Sequence, residues 1–302
     1  MMRKYDDENY MDQFNHHSCG LTLPPYRFIL NCSSDSSMKR LKKDFVEARK
    51  DKDMGSVCAI QGQTAKVCEA SDFIMLGCKP YMVAKILGQP GMKEALDGKV
   101  LISICAGVTN EDLEKAIYGD YSPSDNTRCR IVRVMPNTAA KINESMTVIA
   151  TPPKPLKDED MSTVEFLFGC IGQVAELPAD KMDAATALAG SGPAFYLLML
   201  EGMIDGAVAM GIPRPEATLM AAQTMKGAAL GVMGGEFAED ETYAGTHPAI
   251  LRDQVTTPGG CTMGGLMVLE EEGVRGSIAK CIRRTTVVAS KLGGGGKNVN
   301  GV

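Results

Sequence analysis

Seven short apolar runs, interleaved with helical patterns and ending at Pro178, constrain this chain more than any other feature. They cover residues 26–32, 57–60, 73–77, 100–104, 131–135, 146–150 and 173–177. Each has strand length, and all but the last are apolar mostly at consecutive rather than alternate positions, the mark of a strand buried on both faces. Helical patterns lie between them at 39–52, with Met38, Leu41 and Phe45 on one face, and at 81–86, 111–117 and 158–168. Such strands alternating with helices predict a parallel α/β sheet. Beyond Pro178 no strand pattern remains, and 180–188, 194–210, 215–232 and 276–292 all read as helices. The expected division is an atypical or disordered N-terminus over 1–22, an α/β domain over 23–178, a helical domain over 179–292 and a flexible, glycine-rich tail over 293–302.

A chain of 302 residues, 44% hydrophobic and 23% charged, has the length and composition for two globular domains with buried cores. Its net charge of −5 argues against a general nucleic-acid binder. The ten cysteines are scattered singly, with no C-x-x-C pair. A zinc ribbon or dithiol redox motif is therefore not expected, and reduced thiols in a cytoplasmic protein are the preferred reading. The first twenty residues include Arg3, Lys4, Asp6, Asp7, Glu8 and Asp12; they lack the apolar stretch of a secretory signal and are too acidic for a mitochondrial presequence. The most apolar segment, 194–210, is interrupted by Glu201 and Asp205, so it reads as a buried helix and not a membrane span. With Leu197, Leu198, Met199, Met203, Ile204 and Val208 it is apolar nearly all round. Such a helix must be covered on every side, and in a small helical domain a second subunit is the expected cover.

Chemistry is expected at two places. The segment Asp253-Gln254-Val255-Thr256-Thr257-Pro258-Gly259-Gly260-Cys261-Thr262 ends one helical pattern and opens another. A turn of this kind aims the free N–H groups of a new helix start into one small space and binds an anion such as a carboxylate or phosphate. Thr262 adds a hydroxyl. The second place is the C-terminal edge of the sheet, where open parallel sheets bind ligands. Three strand patterns end there in Cys78-Lys79-Pro80, Ala106-Gly107-Val108 and Pro136-Asn137-Thr138, which together predict a cofactor crevice. The strand pattern 26–32 ends in Asn31, Ser33 and Ser34, followed by Lys39 and Arg40. A site for NAD places an acidic residue there; hydroxyls and cations favour a 2′-phosphate pocket and hence NADP. The alternative is a solvated helix face, with Asp35 nearby.

These pieces stand in the order found in pyrroline-5-carboxylate reductases, which the chain resembles from about Tyr26 to about Leu292. The motifs are Lys79-Pro80, then Ser103-Ile104-Cys105-Ala106-Gly107-Val108-Thr109, Val134-Met135-Pro136-Asn137-Thr138, Ala187-Leu188-Ala189-Gly190-Ser191-Gly192-Pro193-Ala194 and Thr257-Pro258-Gly259-Gly260-Cys261-Thr262. The resemblance implies a Rossmann-type α/β domain followed by an all-α dimerisation domain that forms a homodimer or a higher homo-oligomer. It implies reduction of 1-pyrroline-5-carboxylate to L-proline, the last step of proline biosynthesis, with NADPH, or alternatively NADH, as hydride donor. Its implied substrate site is Thr257, Pro258, Gly259, Gly260, Cys261 and Thr262, with Thr262 contacting the substrate nitrogen as the catalytic residue. Its implied cofactor contacts are Asn31, Ser33, Ser34, Thr64, Cys78, Lys79, Pro80, Ala106, Gly107 and Asn137. Family members often carry asparagine where Thr64 stands, and Thr64 is expected to cap a helix. His247 is expected to start the helix before the substrate loop and not to act as an acid. No metal, nucleic acid or membrane is expected.

One element of the family pattern is not found. A Rossmann domain opens with a strand, a G-x-G-x-x-G turn and a helix. Residues 1–25 contain neither an apolar strand nor a glycine trio, and the run 26–32 corresponds to the family's second strand. The first βα unit is therefore expected to be missing, through a late start or as a degenerate copy. Its loss would leave two interior strand edges unpaired and cofactor binding weakened. Two alternatives follow: a catalytically impaired paralogue that only dimerises, or another NADP-dependent dehydrogenase of the β-hydroxyacid type. The latter needs a catalytic lysine in a glycine-rich loop, and Lys181, Lys226, Lys280 and Lys291 are not so placed.

Overall fold

The computed structural model describes residues 27–47, 56–122, 124–234 and 246–293. The expectations for residues 1–22, for the glycine trio and for the tail from 294 onward lie outside these residues. The chain divides into two units, one running to Ala189 and including the chain end from Ala289, the other Gly190–Val288.

The first unit is built on seven strands: β1 (Arg27–Cys32), β2 (Ser56–Gln61), β3 (Phe73–Leu76), β4 (Val100–Ser103), β5 (Arg130–Met135), β6 (Ser145–Ala150) and β7 (Gly172–Leu177). All seven expected runs are strands, with ends shifted by a residue or so. They form a two-stranded parallel sheet, β1-β2, and a five-stranded sheet in the order β3-β4-β5-β6-β7. Among the described residues β1 pairs only with β2, and β3 on one side only with β4. Among the described residues each of the two keeps an unpaired edge. The all-parallel expectation fails at β5 and β6, which pair antiparallel. Nine residues, with a 3₁₀ turn at Thr138–Ile142, join them; a parallel pair needs a crossover of a dozen or more.

Helices α1 (Asp35–Leu41), α2 (Thr64–Glu69), α3 (Val83–Leu87), α4 (Met92–Leu96), α5 (Asn110–Tyr118) and α6 (Asp158–Gly169) connect the strands. Helix α1 begins earlier than the expected 39–52 because Ser34 caps it, its hydroxyl accepting from the Ser37 N–H at 3.2 Å. It continues as a π turn through Glu47, and residues 48–52 lie outside the described residues. Helix α5 starts on a capping box: the Thr109 hydroxyl accepts from the Asp112 N–H, and the Asp112 carboxylate from the Thr109 N–H. Such a cap contributes about 1 kcal/mol. Strand β4 is buried at all four positions. Leu101 packs on one face with Leu96, Leu113 and Ile131, while Val100 and Ile102 pack on the other with Val132, Val164 and Phe168. This two-sided burial explains the unbroken apolar run in its sequence.

The expected helices at 180–188 and 194–210 are in fact one nearly continuous helical run. A 3₁₀ turn, α7 (Met182–Ala185), a π turn at Thr186–Gly190 and α8 (Gly192–Ala209) follow one another, with a bend only at Ser191. Pro193 sits in the first turn of α8, where its missing N–H costs nothing.

The second unit continues with α9 (Arg214–Met233), α10 (Pro248–Gln254), α11 (Cys261–Glu271) and α12 (Val274–Gly293), the last running into the chain end assigned to the first unit. Ile204 of α8 packs on Ala217 and Ala221 of α9, and Asp205 pairs with Arg214 at 2.9 Å. Leu200, Ala207 and Val208 pack against the same cluster, while the other side of α8 is open: Leu197 is 62% and Leu198 69% exposed, with Tyr196 and Met203 also open.

Candidate active site

The loop from Thr257 to Thr262 is a local structure that the second unit builds from its own residues. The α10 helix starts at His247, whose Nδ1 accepts from the Ala249 N–H at 3.2 Å, so the ring serves as a helix cap, as expected. After α10 the chain turns at Thr257-Pro258-Gly259-Gly260, closed by the Gly260 N–H donating to Thr257 O at 3.0 Å. Proline at the second position and glycine with φ +70° at the third make this a type II turn. The turn delivers Gly260 as the N-cap of α11, where it offers no side chain to cap the helix. The first N–H groups of α11, on Cys261 and Thr262, thus face outward with the positive end of the helix dipole behind them. Thr262 is half-buried, and its hydroxyl makes no hydrogen bond among the described residues. Among the described residues the loop thus sets the N–H groups of a helix start beside a hydroxyl that makes no hydrogen bond.

The cofactor candidates lie in the first unit, at the C-terminal ends of its strands. Beyond β3, Cys78 and Lys79 lead into a 3₁₀ turn that starts at Pro80. Beyond β4 come Cys105, Ala106 and Gly107, the last with φ +73°. A small cavity of about 20 Å³ opens here, lined by residues 103–107, Arg133, Val134, Met135, Met182 and Thr186. Arg133, Met182 and Thr186 were not singled out from sequence. The available signal was an arginine in an otherwise apolar strand run. Burial pushes the Arg133 guanidinium below its ordinary pKa, while Asp183 and Asp112 act to raise it.

At the end of β1, Asn31 Nδ2 donates to Thr64 Oγ1 at 3.3 Å, and Asn31 Oδ1 is buried without a partner among the described residues. That orphaned acceptor suits a ligand hydroxyl. Ser33 and Ser34 are exposed beside it. The nearby Asp35 carboxylate is engaged by Gln61 Nε2 at 2.8 Å.

One expectation needs correction. Thr64 does not cap its helix: Gln63 is the N-cap in left-handed conformation, and Thr64 is the first helical residue, its hydroxyl accepting from Asn31. Asn137, a cofactor candidate, has its side chain hydrogen-bonded within the fold. Its Oδ1 caps the following 3₁₀ turn through the Ala139 N–H at 3.0 Å, and its Nδ2 donates to Ala189 O at 3.1 Å. The lysine required by the β-hydroxyacid alternative does not emerge either: Lys181, the one nearest the cavity in sequence, is exposed and paired with Asp180.

Comparison with known proteins gives the same family as the motifs. Residues 179–292 match the model of the pyrroline-5-carboxylate reductase dimerisation domain, and residues 29–107 match that of the coenzyme F420-dependent NADP oxidoreductases. A pyrroline-5-carboxylate reductase of Lophium arboricola is 51% identical over 92% of this chain and 82% of its own length. That of Neurospora crassa is 48% identical over 92% and 84%. Among solved structures, the Plasmodium falciparum pyrroline carboxylate reductase with NADP bound superposes with a TM-score of 0.65 at 26% identity, covering 82% of this chain and 85% of that one. With its helical domain matched by that family's dimerisation model and 51% identity to a named member over 92% of its length, this chain belongs to the pyrroline-5-carboxylate reductase family.

Proposed function

We propose that this chain reduces 1-pyrroline-5-carboxylate to L-proline, with NADPH as hydride donor, and so performs the last step of proline biosynthesis. The observation that carries this reading is the loop from Thr257 to Thr262, a carboxylate-sized set of N–H groups beside an unengaged hydroxyl, within a chain 51% identical to a named reductase. The substrate is a five-membered cyclic imine with a carboxylate. The N–H groups at the start of α11 hold that carboxylate, with Thr257, Pro258 and Gly259 shaping the turn. The Thr262 hydroxyl hydrogen-bonds the ring nitrogen and fixes the face of the imine presented for reduction. Threonine is a poor acid, so the proton on nitrogen comes from water, or the imine is already protonated when it binds.

NADPH supplies the hydride when bound. Cys78, Lys79, Pro80, Ala106 and Gly107 at the strand ends receive the cofactor. Asn31 Oδ1 would accept from a cofactor hydroxyl, and Ser33 and Ser34 with Lys39 and Arg40 would favour a 2′-phosphate over NADH. The uncovered apolar side of α8 packs against a second copy of the chain, making a homodimer or a larger homo-oligomer. The run Ala179–Ala209 is long and apolar enough to cross a membrane by composition alone, but an acidic residue in α8 paired to α9 favours a protein partner over lipid. The scattered single cysteines support a cytoplasmic enzyme. The test is direct: the purified chain, given NADPH and 1-pyrroline-5-carboxylate, oxidises one NADPH for each proline formed. Absence of proline with NADPH bound would reject the reading.

A further inference from the structure

Cys78 and Cys105 stand side by side just past the ends of two paired strands. In the parallel β3-β4 register Leu76 lies opposite Ser103. Two residues further on, the same register sets Cys78 opposite Cys105, on the same face because strand side chains repeat every second position. The two Sγ atoms are 4.0 Å apart. The Cys105 thiol also reaches Leu76 O at 3.4 Å and Cys78 O at 3.3 Å, so it is held beside its neighbour. Adjacent strands are about 4.8 Å apart, within the span a disulfide bridges, and closing the bond to about 2.05 Å requires a sulfur movement of about 2 Å. Cys78 is partly exposed and Cys105 buried, so an oxidant meets Cys78 first. Each cysteine is followed directly by cofactor candidates: Lys79 and Pro80 in one case, Ala106 and Gly107 in the other.

We propose that Cys78 and Cys105 form a reversible disulfide when the protein meets hydrogen peroxide, and that this bond weakens binding of the dinucleotide at the adjoining strand ends. The Cys78 sulfur attacks the O–O bond of the peroxide; an S–O bond forms and one oxygen leaves as water with the thiol proton. The Cys105 sulfur then attacks the sulfenic sulfur; the S–S bond forms, the S–O bond breaks, and the second oxygen leaves as water. Two thiols lose two electrons and the peroxide is reduced to two waters. A dithiol reductant reverses the change. Burial, and then the neighbouring Cys105, push the Cys78 thiol up to about 11, so thiolate is scarce at neutral pH and the pair responds to sustained rather than brief oxidation. The effect on cofactor rests on the reading of these strand ends as the NADPH site.

The experiment treats the full chain with excess hydrogen peroxide, maps its peptides by mass spectrometry, and measures NADPH affinity before oxidation, after it, and after dithiothreitol. A Cys78–Cys105 cross-link is expected, with NADPH Kd raised about tenfold, the scale of one lost hydrogen bond, and restored by dithiothreitol. The Cys105→Ala chain, compared with its own untreated state, shows neither the cross-link nor a reversible loss. Absence of the cross-link overturns the inference and leaves the reductase reading standing. A cross-link with equal NADPH affinity in both states overturns the switch. Failure of the reduced chain and of Cys105→Ala to bind NADPH overturns both.

Discussion

Glu114 and Lys154 form an ion pair with both partners buried: Glu114 Oε1 lies 2.7 Å from Lys154 Nζ, and their side chains are 5% and 7% exposed. The other carboxylate oxygen accepts from the Ser122 N–H at 2.9 Å and lies 3.7 Å from Arg128. Glu114 therefore anchors the Pro-rich segment around Lys154 and the loop after α5. Removing one partner of such a pair strands the other charge away from water, and Glu114→Ala should cost about 3–5 kcal/mol. Urea unfolding of the variant checks the figure. The double change Glu114→Leu with Lys154→Met should recover most of the loss.

Gly172 opens β7 at φ +141°, with the Ser145 backbone packed where a Cβ would stand. Both its conformation and the contact exclude a side chain. Gly172→Ala should separate β6 from β7 and lower the unfolding midpoint markedly, by more than the roughly 1 kcal/mol typical of a point change. A midpoint within a degree or two of the parent would contradict this account.

Thr262→Val removes a hydroxyl and almost no volume. The fold, the self-association and NADPH affinity should persist, while kcat for the cyclic imine falls about a hundredfold, as for loss of one transition-state donor. Steady-state kinetics beside direct NADPH binding separates these effects; near-full turnover would remove Thr262 from the proposed mechanism.

Gly260→Val tests the anion site separately. A Cβ at this position would run into the Thr257 side chain and lie 3.1 Å from its carbonyl oxygen, so the turn must open. The KM for 1-pyrroline-5-carboxylate should rise at least about tenfold, the value of one or two lost hydrogen bonds, with NADPH affinity unchanged. A soak with proline that places the carboxylate elsewhere would sink the assignment.

Leu198 is 69% exposed on an otherwise apolar helix. If a second copy covers this side of α8, Leu198→Glu buries an unpaired charge in the interface and should shift the protein towards monomer. Sedimentation at several concentrations reads the result; an unchanged association state would place the interface elsewhere.

The sequence by itself determined the elements whose causes lie within a few neighbouring residues. Unbroken apolar runs announced the strands. Thr257-Pro258-Gly259-Gly260 announced its turn, because proline and a positive-φ glycine leave few other conformations at those positions. The substrate half of the candidate site was legible for this reason. The tertiary structure alone decided what depends on residues far apart in the chain. Lys154, in a segment of prolines and lysines, reads as a surface residue until Glu114, forty positions away, is found against it. Thr64 and the Asn137 amide nitrogen find their partners, Asn31 and Ala189, 33 and 52 positions away. The antiparallel turn of β6, the continuity of helix through Gly190-Ser191-Gly192-Pro193 and the meeting of Cys78 with Cys105 have the same character. Turn and cap preferences act along the backbone and can be read locally, whereas pairing, burial and charge compensation are set by which distant segments the packed core brings together.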